Sequence, residues 1–178
     1  ILGADLRKPK LYKEFDLSNK IGLSSYLSSD YNSSEIITKT DIENLDVISS
    51  GPIPPDPAEL LVNDKFNVLM KELKELYDII IIDCPPIGLV VDALVIMDYI
   101  DIPLYIVRQG YTNKGLLSYV NDLNEKEQVR DIQIIINDVK AGSGVYGYSN
   151  YSYGYGYGYG YGYGYGGGGS SEEFLEQE

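Results

Sequence analysis

Four consecutive isoleucines, Ile79 to Ile82, set the tightest limit on what this chain can fold into. A half-exposed strand alternates apolar and polar residues. A run without alternation fits a strand covered on both faces, as in a parallel sheet. Residues 102–107 (IPLYIV) and 132–136 (IQIII) have the same character, Leu45–Ile48 is a shorter strand candidate, and Ile1–Leu2 reads as the end of another. Helical patterns lie between these runs. From Pro57 to Tyr77 the apolar residues Val62, Phe66, Leu69, Met70, Leu73, Leu76 and Tyr77 recur at helical spacings, and Asp56 before Pro57 supplies an N-cap with proline in the first turn. Asn113–Leu123, Leu89–Tyr99 and Ser18–Leu27 are further helix candidates. Strands alternating with helices predict an α/β fold with an open, doubly wound, mostly parallel sheet and flanking helices.

In such sheets ligands bind beyond the carboxyl ends of the strands. The segments Asp5–Arg7, Ser49–Gly51, Asp83–Pro86, Arg108–Gly110 and Asn137–Asp138 are therefore expected to line one rim. Asp83 ends the isoleucine strand in YDIIIIDCPP. A carboxylate fixed at the tip of a buried strand suits a magnesium-bound water near nucleotide phosphates; the plainer reading is an Asp that opens a turn before Pro85. Asp5 and Arg7, two apart in ILGADLRKP, both face the rim if the chain stays extended, the alternative being a surface ion pair.

The C-terminal part is of another kind. Tyr146, Tyr148, Tyr151, Tyr153, Tyr155, Tyr157, Tyr159, Tyr161, Tyr163 and Tyr165, ten of the 18 tyrosines, sit on a thread of glycine and serine. Such a segment cannot bury enough aliphatic surface to offset its ordering entropy, so residues 141–178 are expected to form a disordered tether beside a domain at 1–140. Composition alone equally allows a self-associating, adhesive tail. The tail holds only four acids (Glu172, Glu173, Glu176 and Glu178), so most of the net charge of −13 belongs to the domain. That charge argues against nucleic acid or anionic lipid as partners. One cysteine and no histidine exclude an internal disulfide, a multi-thiolate zinc site and Ser-His-Asp chemistry. What remains is Asp, Glu, Lys, Arg, Tyr and backbone, with a hard, oxygen-liganded ion such as Mg2+ as the fitting metal. No run of about 18 apolar residues is present. The chain starts without methionine inside an apolar run, and reads as cut from something longer.

Three strings together resemble the bacterial tyrosine kinases of exopolysaccharide and capsule synthesis, which belong with the deviant-Walker (ParA/MinD-like) P-loop ATPases. ILGADLRKP is similar to their Walker A-prime segment, DIIIIDCPP to their Walker B, and GPIPPDPAELL at 51–61 to their proline-rich loop. The following VVDALVIMD and IVRQGYT segments and the tyrosine cluster agree with these. The resemblance implies an ATP- and Mg2+-dependent protein-tyrosine kinase that autophosphorylates its C-terminal tyrosines and controls polysaccharide polymerisation and export. It assigns magnesium to Asp83 and Asp5, and the phenol proton to Asp5. Arg7 orients Asp5 or neutralises developing charge, and Asn137 contacts the adenine edge unless it only forms a turn before Asp138. Implied partners are neighbouring subunits phosphorylated in trans, a membrane polysaccharide co-polymerase domain, fused or separate, and a phosphotyrosine phosphatase. The implied location is the cytoplasmic face of the bacterial inner membrane.

Two departures accompany the match. The first acid of the Walker A-prime pattern is Gly3 here. The family's phosphate-cradling loop would lie upstream of Ile1, which implies an N-terminally truncated kinase domain that binds ATP poorly in this form. The competing readings are a ParA/MinD-like ATPase without protein kinase activity and a non-catalytic module with an adhesive tail.

Overall fold

The computed structural model describes residues 1–87, 92–125, 129 and 131–140; all ten tail tyrosines lie outside the described residues. In chain order the elements are β1 (Leu2–Gly3), α1 (Leu11–Glu14), α2 (Leu23–Ser28), α3 (Ser33–Ile36), β2 (Ile37–Lys39) and β3 (Asp46–Ile48). Then come α4 (Pro57–Leu61), α5 (Asp64–Leu76), β4 (Ile82–Asp83), α6 (Asp92–Val95), a 3-10 turn at Met97–Tyr99, β5 (Leu104–Arg108), α7 (Lys114–Glu125) and β6 (Gln133–Asn137).

Strand and helix alternate as the apolar runs predict. The strands are nevertheless divided between a four-stranded sheet ordered β2-β3-β1-β4 and a two-stranded sheet β5-β6. β1 pairs parallel with both neighbours, Leu2 with Ile48 and Ile82, and Gly3 with Asp83. β2 closes the far edge antiparallel, with Thr38 opposite Val47. β5 and β6 pair parallel over five residues, from Leu104–Gln133 to Arg108–Asn137.

The core lies on the first sheet. Leu2, Ala4, Leu6, Leu23, Leu27, Ile48, Phe66, Leu69, Met70 and Leu73 are all buried in one cluster. Each such large aliphatic or aromatic side chain contributes about 1.5–3 kcal/mol on leaving water. Phe66, the largest fully buried side chain, meets Tyr99 edge-on with ring centroids 5.1 Å apart, a geometry that suits the ring quadrupoles.

Two expectations are corrected. The isoleucine strand is not covered on both faces: Ile80 and Ile82 pack against the core, while Ile79 (79% exposed) and Ile81 (57%) face out. β4 is the last strand of its sheet, and among the described residues nothing lies over its outer face. The helix expected from Pro57 to Tyr77 is in fact two. α4 starts as predicted, with the Asp56 side chain accepting the Glu59 N–H and Pro57 in the first turn. It stops at Val62 because Asn63 takes an extended conformation (φ −61°, ψ 140°) and accepts the Lys65 N–H, capping α5 anew. The break turns Val62 out to solvent (66% exposed), although the periodicity counts it as core.

At the amino ends of the strands, Asp46 accepts from Lys39 Nζ at 2.7 Å and from the Tyr77 hydroxyl at 2.5 Å. The Lys39 and Tyr77 bonds hold the Asp46 carboxyl below its ordinary range. Burial, with the Asp46 bond second, pushes the Tyr77 phenol up to about 12. This network braces the end of the sheet away from the carboxyl rim.

Candidate active site

The carboxyl ends of β1 and β4 lie side by side, and two backbone bonds tie them. The N–H groups of Ala4 and Asp5 both donate to the Asp83 carbonyl, at 2.7 and 3.0 Å. This fork fixes where the chain after β1 goes, and it sets the Asp5 charge where the Asp83 carboxyl feels it. Partial burial first, and the Asp5 charge second, push the Asp83 carboxyl above its ordinary range. A carboxyl raised in this way by burial and a neighbouring acid is eased by a bound cation.

Beyond β1 the chain curls back on Asp5. Its Oδ1 accepts the backbone N–H groups of Arg7 (3.0 Å) and Lys8 (2.9 Å), an Asx-type turn. Both bonds fall on one oxygen. Among the described residues none falls on Oδ2, which is left for a ligand or a proton. Arg7 holds Asp5 through its backbone only. Its guanidinium turns instead to Asp92 at the start of α6, with Nε on Oδ2 at 2.6 Å and Nη2 on Oδ1 at 2.9 Å. The Asp92 side chain is fully buried and that of Arg7 is 40% exposed. The sequence marks Arg7, and marks Asp92 in VVDALVIMD as an outer partner of the site or a plain helix residue, but nothing local pairs the two across 85 residues.

Position 3 has a local reason to be glycine. A Cβ there would meet the Ser50 hydroxyl at 2.8 Å and the Ser50 backbone nitrogen at 3.1 Å. The space that the first acid of the pattern would enter is taken by the buried Ser50. The segment Ser49–Gly51, expected on the rim, is itself a stitched brace. The N–H groups of Leu23 and Ser24 donate to the carbonyls of Ser49 and Ser50, and the Asn19 side chain bonds both the N–H and the carbonyl of Gly51. Gly51 sits at φ 79°, a conformation that favours glycine. The proline-rich loop beyond it borders an open groove of about 390 Å³ shared with Ser25, Ser28 and Glu59.

Asn137 closes β6, on the other sheet. Its side-chain oxygen accepts the Asp138 N–H at 2.8 Å and its carbonyl accepts from Gln109. Arg108, at the matching end of β5, pairs with Asp138 at 3.0 Å and lies 5.4 Å from the Tyr111 ring. Cys84 is half-buried against the core, and burial first, with Asp83 next, pushes its thiol up to about 11. At neutral pH it is a small apolar side chain, not a nucleophile.

Among the described residues no group of three or more acidic, histidine or cysteine side chains converges as a self-sufficient metal site. Two carboxylates remain, Asp5 and Asp83. That donor set fits Mg2+, which is usually held by one or two carboxylates together with waters and substrate phosphates. No helix among the described residues is long and apolar enough to cross a membrane.

A family model described as an AAA domain matches residues 8–135. The tyrosine-protein kinase CpsD of Streptococcus agalactiae is 35% identical over 153 residues, covering 85% of this chain and 67% of that protein. The tyrosine-protein kinase YwqD of Bacillus subtilis is 38% identical over 149 residues, covering 83% of this chain and 63% of that protein. Among solved structures, the kinase domain of the Escherichia coli tyrosine kinase ETK superposes with a TM-score of 0.74 at 32% identity, over 84% of this chain and 60% of that one. The chain thus spans about two thirds of the length of these relatives. The fold they share is that of P-loop NTPases, which implies nucleotide binding.

Proposed function

Since the chain belongs to the bacterial tyrosine kinases, on an AAA-type domain, we propose that the protein it is part of phosphorylates its own C-terminal tyrosines from magnesium-ATP. Residues 1–140 are its share of the kinase domain and residues 141–178 its substrate tail. The observation that carries this reading is the Asp5–Asp83 pair at adjacent strand tips: their backbones are tied together, the Asp5 carboxyl is held by two amides, and among the described residues its second oxygen takes no hydrogen bond.

A phenol has a pKa near 10, so it needs alignment and a proton acceptor near neutral pH. Magnesium-ATP, when bound, would supply the γ-phosphoryl group, with ADP leaving as its β–γ bond breaks, and the metal would neutralise the charge. Asp83 and Asp5 are the residues that would hold the metal. The proton of the incoming tyrosine hydroxyl passes to Asp5 Oδ2, while the Arg7 and Lys8 amides keep the carboxylate aimed. Asn137 is the residue for the adenine edge. Phosphoacceptors are Tyr146, Tyr148, Tyr151 and the run from Tyr153 to Tyr165, offered to a neighbouring subunit. Each phosphate adds about 1.5 to 2 negative charges, so a multiply phosphorylated tail is repelled by an acidic domain and leaves it.

The regulated process is polysaccharide polymerisation and export at the cytoplasmic face of the inner membrane. The partners are a co-polymerase domain, fused or separate, and a phosphotyrosine phosphatase. Nucleic acid is not among them. The test is mass spectrometry of the tail in the full-length protein after incubation with magnesium-ATP. A ladder of multiply phosphorylated species is expected, and it should collapse when Tyr153 to Tyr165 become phenylalanine. An unmodified tail in a protein that hydrolyses ATP would overturn the kinase reading in favour of an ATPase.

A further inference from the structure

Asp92 is a fully buried carboxylate that the chemistry above does not use. A lone ionised carboxylate in that position would be costly, and burial is tolerable only because both of its oxygens are taken by one guanidinium. The two-point geometry also fixes orientation, because the planar fork of Arg7 fits the carboxylate in one pose. What Arg7 carries on its other side is decisive. Its own N–H, and that of Lys8, are the two donors that grip Asp5 Oδ1.

We propose that Asp92 is a positioning residue for the active site: through the guanidinium of Arg7 it sets the Ala4–Lys8 loop, and so the direction of the Asp5 carboxyl that the Arg7 and Lys8 amides hold. The loop is then held at two places. The Asp83 carbonyl holds Ala4 and Asp5, and Asp92 holds Arg7. Both holding points lie on the single stretch that runs from β4 into α6, so any shift of α6 relative to β4 is passed to Asp5. Arg7 is accordingly an anchor, with its charge spent on Asp92 and not on a transferred phosphate.

This inference rests on the kinase reading for its activity readout but not for its structural one. In the full-length kinase, Asp92→Asn keeps the side-chain shape and replaces one acceptor oxygen by a donor. It should lower kcat for tail phosphorylation about 10- to 100-fold, the usual cost of losing an outer partner of a metal-site residue, with KM for ATP within about twofold of wild type. Amide exchange at Arg7 and Lys8, followed by NMR, should accelerate about tenfold or more, while the amides of Leu69 and Met70 in α5 stay as protected as before. Arg7→Lys, which leaves Asp92 paired, should give the same exchange pattern to a lesser degree. It serves as the probe if Asp92→Asn does not fold. Combining the two changes should cost little more than the larger alone, because both break one link. Wild-type kcat in Asp92→Asn, or unchanged exchange at Arg7 and Lys8, overturns the proposal, as does acceleration spread equally through α5. If the wild-type protein phosphorylates no tyrosine at all, the kinase reading fails, and the exchange data still decide whether Asp92 sets the loop.

Discussion

The two sheets of this molecule meet opposite fates. β1 and β3 are short and only moderately apolar, yet Leu2 (1% exposed) and Val47 (0%) are sealed. β6 carries three isoleucines in a row, and Ile134, Ile135 and Ile136 are 54%, 42% and 62% exposed. Burial therefore follows the neighbours a strand finds, not its hydropathy. The first sheet has α2 and α5 against it, with Phe66, Leu69 and Leu73 aimed inward, whereas β5 and β6 contact mainly each other. The chemistry is divided in the same way. The two acids sit on the well-supported sheet and Asn137 on the exposed one.

The contrast predicts where the molecule is fragile. Phe66→Ala should have the largest effect, costing about 3–5 kcal/mol, since it opens a cavity in the first sheet's core and removes the ring partner of Tyr99. Denaturant unfolding of this chain measures it, and a loss below about 1 kcal/mol would mean that this core is not the stabilising one. Next comes Asp83→Asn in the full-length kinase. Tail phosphorylation should fall at least about 100- to 1,000-fold, on the scale of removing one fixed electrostatic element from a transition state. The fold should be intact, because the change removes a charge that burial and Asp5 both disfavour. Activity within a few-fold of wild type would detach the site from the first sheet.

Tyr77→Phe probes the brace at the opposite end of that sheet, and should cost about 1.5–3 kcal/mol, the range for hydrogen bonds to charged groups. Its pH signature is specific. The phenol is raised in the fold, so its contribution is complete below about pH 10 and disappears as pH climbs toward 12. The Asp46 carboxyl is lowered, so its contribution is lost instead as the solution is acidified through its folded value. A Tyr77→Phe difference that stays constant from pH 9 to pH 12 would break this assignment. The smallest effect belongs to Ile134→Ala, within about 0.5 kcal/mol in this chain, as for exposed positions generally. A much larger loss would show that the second sheet is covered in solution.

The parts of the fold legible in the sequence were those decided by neighbours along the chain. The Asp56–Pro57 start of α4, the Asn113 start of α7 (its side chain accepts the Gly115 N–H) and the strand at Asp46–Ile48 all follow from local chemistry. The division at Asn63 was hidden because Val62 keeps the apolar rhythm across the break. β2 is hidden in the sequence because ITK is short and polar, and only its pairing with Asp46–Ile48 gives it a reason to be extended. The site follows the same rule. Asp5 and Asp83 stand out as acids that end apolar runs. Ser50 and Asp92 act on residues 47 and 85 positions away, and no local pattern announces such a pairing.

The raised thiol of Cys84 offers a use outside catalysis altogether. It is the chain's one thiol, adjacent in sequence to Asp83 and largely kept from ionising. A thiol-directed dye should therefore react with it slowly, and faster with each step in alkalinity up to about pH 11. Any ligand that settles on Asp83 alters the charge that this sulfur feels. Occupancy of the neighbouring carboxylates can then be followed as a labelling rate, with no engineered probe and no competing cysteine elsewhere in the chain.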